Sequence, residues 1–213
     1  MTVQKKKKRV LIALGPTREY LDPVRYLSSD SSGKMGIALA HRAHQRGDDV
    51  IIVCGPITCS VHQKIKRISV TSAREMDHTM QREARRADVI IMCAAVSDWR
   101  PAHFSPTKLK RTSSSHRIIN LVPNPDILAK LCMHKKKGQV IVGFALESTD
   151  LEQRAQRKLK EKGCDWIVGN NPSAIGSARS RAIMLQKSGK IYRFPLLSKT
   201  TLARRIFSHV CPI

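Results

Sequence analysis

The sequence predicts an α/β fold: a mostly parallel sheet with helices on both faces and an antiparallel hairpin near the C-terminus. Three observations carry this. Short, nearly continuous apolar runs rich in Val and Ile recur at residues 10–14, 49–55, 88–94 and 140–145, as strands buried on both faces of a parallel sheet do. Segments of helical period lie between them, so strands alternate with helices. Two alternating runs on either side of Ser188 and Gly189 then read as the hairpin.

Residues 10–14 form the first strand, closed by Gly15 and Pro16. From Lys34 the period changes: Met35, Leu39 and Ala43 recur every fourth residue with Ala38 beside them, giving a helix that Gly47 stops. The connection is long and polar, with Arg18, Glu19, Asp22 and Arg25 followed by the hydroxyl-rich stretch from Ser28 to Ser32. A helix start offers unpaired N–H groups, so Ser31, Ser32, Gly33 and Lys34 make either a phosphate cradle or an ordinary cap supplied by Ser32. Both readings stand at this level.

Residues 49–55 are the second strand and 65–70 a shorter, alternating third. Ser72 with Glu75 forms a capping box opening a helix to about Ala87, with Met76 and Met80 inward and Arg74, Arg82, Arg85 and Arg86 outward. The strand at 88–94 empties into Ala95, Val96, Ser97, Asp98 and Trp99. Ligands in open α/β sheets lie beyond the carboxyl ends of the strands, so this loop and residues 15–34 are expected to line one crevice. Ala94 and Ala95 leave room for a flat ring. Asp98 is either a hydrogen-bond acceptor for a ligand or a buried structural carboxylate. Residues 103–116 read as a mobile loop carrying Lys108, Lys110, Arg111 and a hydroxyl run at 112–115, either a lid over phosphates or a solvated basic loop. Asn124 as cap and Pro125 at the first helical position open the next helix. A strand at 140–145 and a charged helix at 150–162 follow, with Lys158 and Lys162 one turn apart and Gly163 as the stop. A strand at 165–171, the hairpin at 182–186 and 190–194, and a helix from Lys199 to about Val210 complete the chain.

At 213 residues, a single domain at 9–213 behind a basic tail at 1–8 is the expected organisation. No apolar run approaches the ~20 residues that span a bilayer, and no cleavage site follows the early lysines, so a cytoplasmic protein without membrane contact is expected. Six cysteines without a CxxC pair or a histidine at zinc spacing argue against a metal knuckle or disulfide framework. Cys54 and Cys93 read as buried small hydrophobes. The net charge of +23 would attract polyanions, triphosphates included. With 4% aromatic residues and no helix-turn-helix, zinc or RNP pattern, no specific nucleic-acid partner is expected. GxGxxG after the first strand, a Walker lysine motif, GxSxG and HExxH are all absent. What remains is a crevice with lysines on several loops, few general bases and no protein metal cage. That suits positioning and charge neutralisation of a polyphosphate, as in nucleotidyl transfer.

The motifs TREYLDPVRYLS, SSGKMG, AAVSDWRP, KLK, NPDIL, VGFALES and KLKEKGCDWIVGNN, in this order and spacing, resemble the phosphopantothenate-cysteine ligase family of coenzyme A biosynthesis over nearly the whole chain. The resemblance implies a Rossmann-like fold, a homodimer, and a ligase joining 4'-phosphopantothenate to cysteine through an acyl-nucleotidylate, with CTP as nucleotide substrate ahead of ATP and Mg2+ required. It places Gly15, Ala94, Asp98, Asn124, Pro125, Asp126, Ile127, Phe144, Lys158 and Lys162 around the nucleotide and Lys108 at the triphosphate. Arg25, Ser29, Ser31, Ser32, Gly33, Lys34 and Ala95 fall to phosphopantothenate, with Arg25 reaching across the dimer, and catalytic roles fall to Lys108, Ser29 and Arg25. No protein metal ligand is implied. Two positions depart from the family pattern. Ser29 replaces an asparagine that holds the acyl intermediate, which leaves a full ligase and a half-reaction or non-catalytic nucleotide-binding relative both open. Pro16 replaces a glycine and removes one backbone donor. A flavin-dependent decarboxylase, fused in many bacterial relatives, is expected to be a separate protein.

Overall fold

The computed structural model describes residues 7–111 and 116–212; the first six residues of the basic tail and the hydroxyl run at 112–115 lie outside them. Strand β1 (Arg9–Leu14) leads into a small ribbon, β2 (Arg18–Tyr20) with β3 (Tyr26–Ser28), and then into α1 (Lys34–Gln45) and β4 (Asp49–Cys54). Strand β5 (Lys66–Ser69), α2 (Ala73–Ala84) and β6 (Val89–Met92) follow. A second ribbon, β7 (Trp99–Pro101) with β8 (Leu121–Pro123), precedes α3 (Ile127–Met133), β9 (Val140–Leu146), α4 (Leu151–Lys162) and β10 (Trp166–Asn170). The hairpin β11 (Arg179–Gln186) and β12 (Ile191–Ser198) and helix α5 (Lys199–Val210) close the chain.

Eight strands form one sheet in the order β12-β11-β10-β9-β6-β1-β4-β5. The six from β10 to β5 are parallel, and β11 and β12 add antiparallel edges. Chain direction through the parallel strands reverses between β1 and β6, the switch point of a doubly wound Rossmann-like sheet. Strand pleat divides the side chains between two cores. Val10, Ile12 and Leu14 pack with Leu39 and Ala43 of α1 and with Ile206 and Phe207 of α5. Leu11 and Ala13 pack with Met76 and Met80 of α2, Leu131 of α3 and Leu159 of α4. Helices therefore cover both faces, as the apolar runs require.

Helix starts follow the local chemistry, with two corrections. At α2 the capping box forms, the Glu75 N–H donating to Ser72 Oγ at 3.2 Å while the Glu75 carboxylate accepts the Thr71 N–H at 2.9 Å. Ser32 does not cap α1: the cap is Gly33, at φ 72°, with no side-chain bond. A Cβ on Gly33 would lie 2.8 Å from Ile57 Cγ2, so the turn has room for glycine alone. Asn124 does not cap α3 either. Asp126 does, accepting the Ala129 N–H at 3.0 Å directly before the helix begins at Ile127, while the Asn124 amide N–H donates to Ser97 O at 2.8 Å.

The segment at 103–111, the described part of the loop read as mobile, is tethered at two points to the loop after β1. The Ser105 N–H donates to Leu21 O at 2.9 Å, and the Leu109 N–H donates to the Asp22 carboxylate at 3.1 Å. Among the described residues, no helix is long and apolar enough to cross a membrane.

Gly36 tests how closely α1 is pressed to β1, since a Cβ there would sit 2.3 Å from Leu14 Cβ. In an open helix Gly→Ala is stabilising by ~1 kcal/mol. Gly36→Ala is expected to do the reverse, destabilising by about 1–3 kcal/mol through overpacking. Urea unfolding measures the sign, and a variant as stable as the parent would mean the contact is looser than described.

Candidate functional site

The carboxyl ends of β1 and β6 are stitched together. The Ala95 N–H donates to Gly15 O at 2.9 Å and the Thr17 N–H to Ala95 O at 3.3 Å, while the Ser97 N–H reaches Thr17 Oγ1 at 3.0 Å. Pro16 sits between the two residues that make this bridge, so its missing donor leaves the stitch intact. Above it open two adjoining cavities of about 370 and 310 Å³. The first lies between residues 29–36, the end of β6, the end of β9, the turn at 174–176 and Lys199. The second lies between Ser97, the start of α3 and the inner side of α4. Ala94, Val96, Asp98, Phe144 and Lys158 form their common wall.

The first wall is a helix start. The first intrahelical bond of α1 runs from the Ile37 N–H to Gly33 O at 3.0 Å, so the N–H groups of Lys34, Met35 and Gly36 have no intrahelical partner. Beside them stand Ser29, Asp30, Ser31 and Ser32. Cations line the rest. Lys34 Nζ donates to Gly176 O at 2.7 Å, Lys199 Nζ to Ala174 O at 3.0 Å and Lys158 Nζ to Phe144 O at 2.8 Å. Each of these bonds ends on a backbone carbonyl rather than a carboxylate. Burial pulls the Lys158 pKa down, against the upward pull of Glu147. Lys199 is likewise lowered by burial and then by the neighbouring Lys34. Lys162 differs: it pairs with Asp126, and this bond together with the Ala129 N–H lowers the Asp126 carboxyl although burial pushes it up.

Asp98 is exposed, which removes the buried structural reading, and its carboxylate borders both cavities. Cys54 is buried as expected, while Cys93 is only partly so. Cys93 packs against the core where it borders the first cavity, and burial pushes its thiol pKa up to about 12. Among the described residues, no group of three or more His, Cys, Asp or Glu side chains is arranged to hold a metal ion.

Most of the residues singled out in the sequence converge on this crevice. Ser29, Ser31, Ser32, Gly33, Lys34 and Ala95 line the first cavity, and Asn124, Pro125, Asp126, Ile127 and Lys162 line the second. Ala94, Asp98, Phe144 and Lys158 belong to both. Gly15, Arg25 and Lys108 are on neither wall. Gly15 lies beneath the floor at φ 82°, facing Ile57. The Arg25 guanidinium donates to Asp22 Oδ2 at 2.9 and 2.6 Å and to Leu109 O. Lys108 is exposed on the tethered segment. The sequence reading missed Lys199. Its one signal was that it opens the last helix as Lys34 opens α1, and only the topology brings the two helix starts together.

Residues 5–213 match the family described as DNA/pantothenate metabolism flavoprotein C-terminal domain. The coenzyme A biosynthesis bifunctional protein CoaBC of Vibrio vulnificus (strain CMCP6) is 41% identical over 207 residues, which are 95% of this chain and 52% of that protein. The chain thus spans about half the length of the curated relatives it matches. The crystal structure of the C-terminal domain of CoaBC has a TM-score of 0.82 at 36% identity, covering 95% of this chain and 93% of that one. A Cab2 mutant in complex with phosphopantothenate-cysteine shares the fold at 18% identity, with a TM-score of 0.80 over 95% of this chain and 86% of its own. Sequence, sheet order and crevice agree on one conclusion: this chain belongs to the DNA/pantothenate metabolism flavoprotein C-terminal domain family.

Proposed function

We propose that residues 9–213 are a single catalytic unit, behind a basic tail at 1–8, that ligates 4'-phosphopantothenate to cysteine at the expense of CTP in the cytoplasm. One observation carries this reading: a helix start and the lysines Lys34, Lys158 and Lys199 surround a crevice at the strand-order reversal. The substrate carboxylate attacks the α-phosphorus of CTP, pyrophosphate leaves, and the acyl-cytidylate then yields to the cysteine amine with loss of CMP. The chain's part is positional and electrostatic. Lysines take the charge of the triphosphate, and Ala94 and Ala95 leave space for the base beside Asp98. Magnesium fits as a companion of the nucleotide, since the crevice offers Asp30 and Asp98 rather than a cage, and it would polarise the phosphoryl oxygens. A homodimer, with Arg25 near the substrate of the other subunit, belongs to the same reading.

The narrower alternative rests on Ser29, which lines the first cavity where the family has asparagine. Pyrophosphate release with and without cysteine separates the two. The ligase releases pyrophosphate and forms the amide, and Ser29→Asn is expected to speed the cysteine step without altering the first. Release without amide would leave only the half-reaction, and no release at all would sink the proposal.

Lys158→Ala is expected to lower kcat/KM of the first step by about 10²–10³-fold, the usual loss when one electrostatic stabiliser goes. Lys108→Ala is expected to abolish that step by removing the arm proposed to reach the triphosphate. Parent-like pyrophosphate release from either variant removes that lysine from the mechanism.

Burial makes the Lys158 and Lys199 ammonium groups easier to lose, and the ammonium is the form that attracts phosphate. Nucleotide affinity is therefore expected to fall as pH rises, starting below the ordinary lysine range. Lys158→Arg is expected to move that fall to higher pH. A pH-independent Kd up to the lysine range would contradict this.

A further inference from the structure

One carboxylate that lines neither cavity collects more donors than its own loop needs. Asp22 lies in the turn between β2 and β3 with its side chain fully buried. Its Oδ1 accepts the N–H groups of Val24 and Arg25, both at 2.8 Å, which is an ordinary Asx turn. Oδ2 reaches beyond that turn. It accepts Nε and Nη2 of Arg25 at 2.9 and 2.6 Å, and the N–H of Leu109, 87 residues further along the chain, at 3.1 Å. The Arg25 guanidinium in turn donates to the Leu109 carbonyl. Leu109 is thus gripped at both its N–H and its C=O by the two members of one ion pair, half-buried between the exposed Lys108 and Lys110. On the other side the turn runs into the crevice: Ser28 Oγ of β3 donates to Thr17 O at 2.7 Å, and the next residue, Ser29, begins the first cavity wall.

We propose that Asp22 is a positioning residue of the ligase reaction, resting on the reading that Lys108 serves the triphosphate: it fixes the Arg25 guanidinium and the Leu109 peptide as one unit, so that the segment carrying Lys108 is held to the loop that walls the crevice. The negative charge is what makes this hold possible. A carboxylate accepts through both oxygens, and its bonds from a guanidinium are about twice as strong as neutral ones. An asparagine that kept its one oxygen on the turn would present its NH2 to the Leu109 N–H and to Arg25, donor against donor. Asp22→Asn therefore spares the local turn, which asparagine forms equally well, and breaks the hold on Leu109 and Arg25.

In the full chain, amide exchange at Leu109 is measured beside pyrophosphate release at varied CTP. Asp22→Asn is expected to exchange faster at Leu109 while β1 and β6 keep their protection. Its kcat for the first step is expected to fall by about 10²-fold, the usual cost of misplacing a positioned group, with KM for CTP little changed because the crevice lysines are untouched. Parent-like kcat in Asp22→Asn beside an inactive Lys108→Ala would overturn the positioning role and leave the proposed function standing. A parent-like Lys108→Ala would instead overturn the reading beneath it. Unchanged exchange at Leu109 would overturn the hold itself. A rise in KM matching the fall in kcat, or lost protection in β1 and β6, would reduce Asp22 to a structural residue.

Discussion

Backbone contact at the carboxyl ends of β1 and β4 is the constraint on which the crevice rests. A Cβ on Gly55 would lie 1.8 Å from Pro16 O, and one on Gly36 2.3 Å from Leu14 Cβ. No side chain spaces these elements apart. The first turn of α1 therefore arrives at the end of β1 with its N–H groups unspent, and the loop after β1 lies low enough to pair with Ala95. The dinucleotide fingerprint reaches such closeness with three glycines in one short loop. Here the glycines are dispersed over the ends of two strands and the start of a helix, which is why that motif is absent although the sheet is of that type.

A second constraint is electrostatic. Acids are few, and the buried ones are occupied structurally. Arg46 and Asp48, with side chains 3% and 1% exposed, form an ion pair at the end of α1, where the Arg46 guanidinium also donates to Cys211 O at 3.0 Å. Nearer the surface, the half-buried Asp165 takes Lys135 and the exposed Asp126 takes Lys162. Lys34, Lys158 and Lys199 are left on carbonyls, and for the desolvated Lys158 and Lys199 those dipoles compensate the ammonium only in part. In the proposed reaction an anion entering the crevice would supply the remainder, so the same desolvation that lowers the Lys158 and Lys199 pKa values would raise the advantage of binding a polyphosphate.

Strands and helices were legible because each obeys one period: Val10, Ile12 and Leu14 serve one core and Leu11 and Ala13 the other. The ribbons β2–β3 and β7–β8 were not, since three-residue strands in charged sequence carry no periodic signal. Caps were legible where a hydroxyl and a glutamate cooperate, as at Ser72, and misread where the helix begins two residues later than its first polar candidate, as after Asn124. Much of the crevice was legible through the rule that ligands lie beyond strand ends. Lys199 was hidden because its place depends on the hairpin returning the chain to the start of α1, a long-range fact no local window contains.

A long polar loop such as that between β1 and α1 would be costly to order if its charges lacked partners, and they do not lack them. Asp22 is fully buried, and its carboxylate accepts the N–H groups of Val24, Arg25 and Leu109 and the guanidinium of Arg25. Burial alone would raise its pKa, but these donors hold it well below the usual carboxylate range. Glu19, also buried, accepts the Ala73 N–H at 2.9 Å and so ties the ribbon to the start of α2. The charged cluster is thus satisfied from within. Its ordering is met during folding rather than on binding, which is how a site becomes preorganised. Because Leu109 is fixed through the same carboxylate, its neighbour Lys108 has an anchored backbone and an exposed side chain.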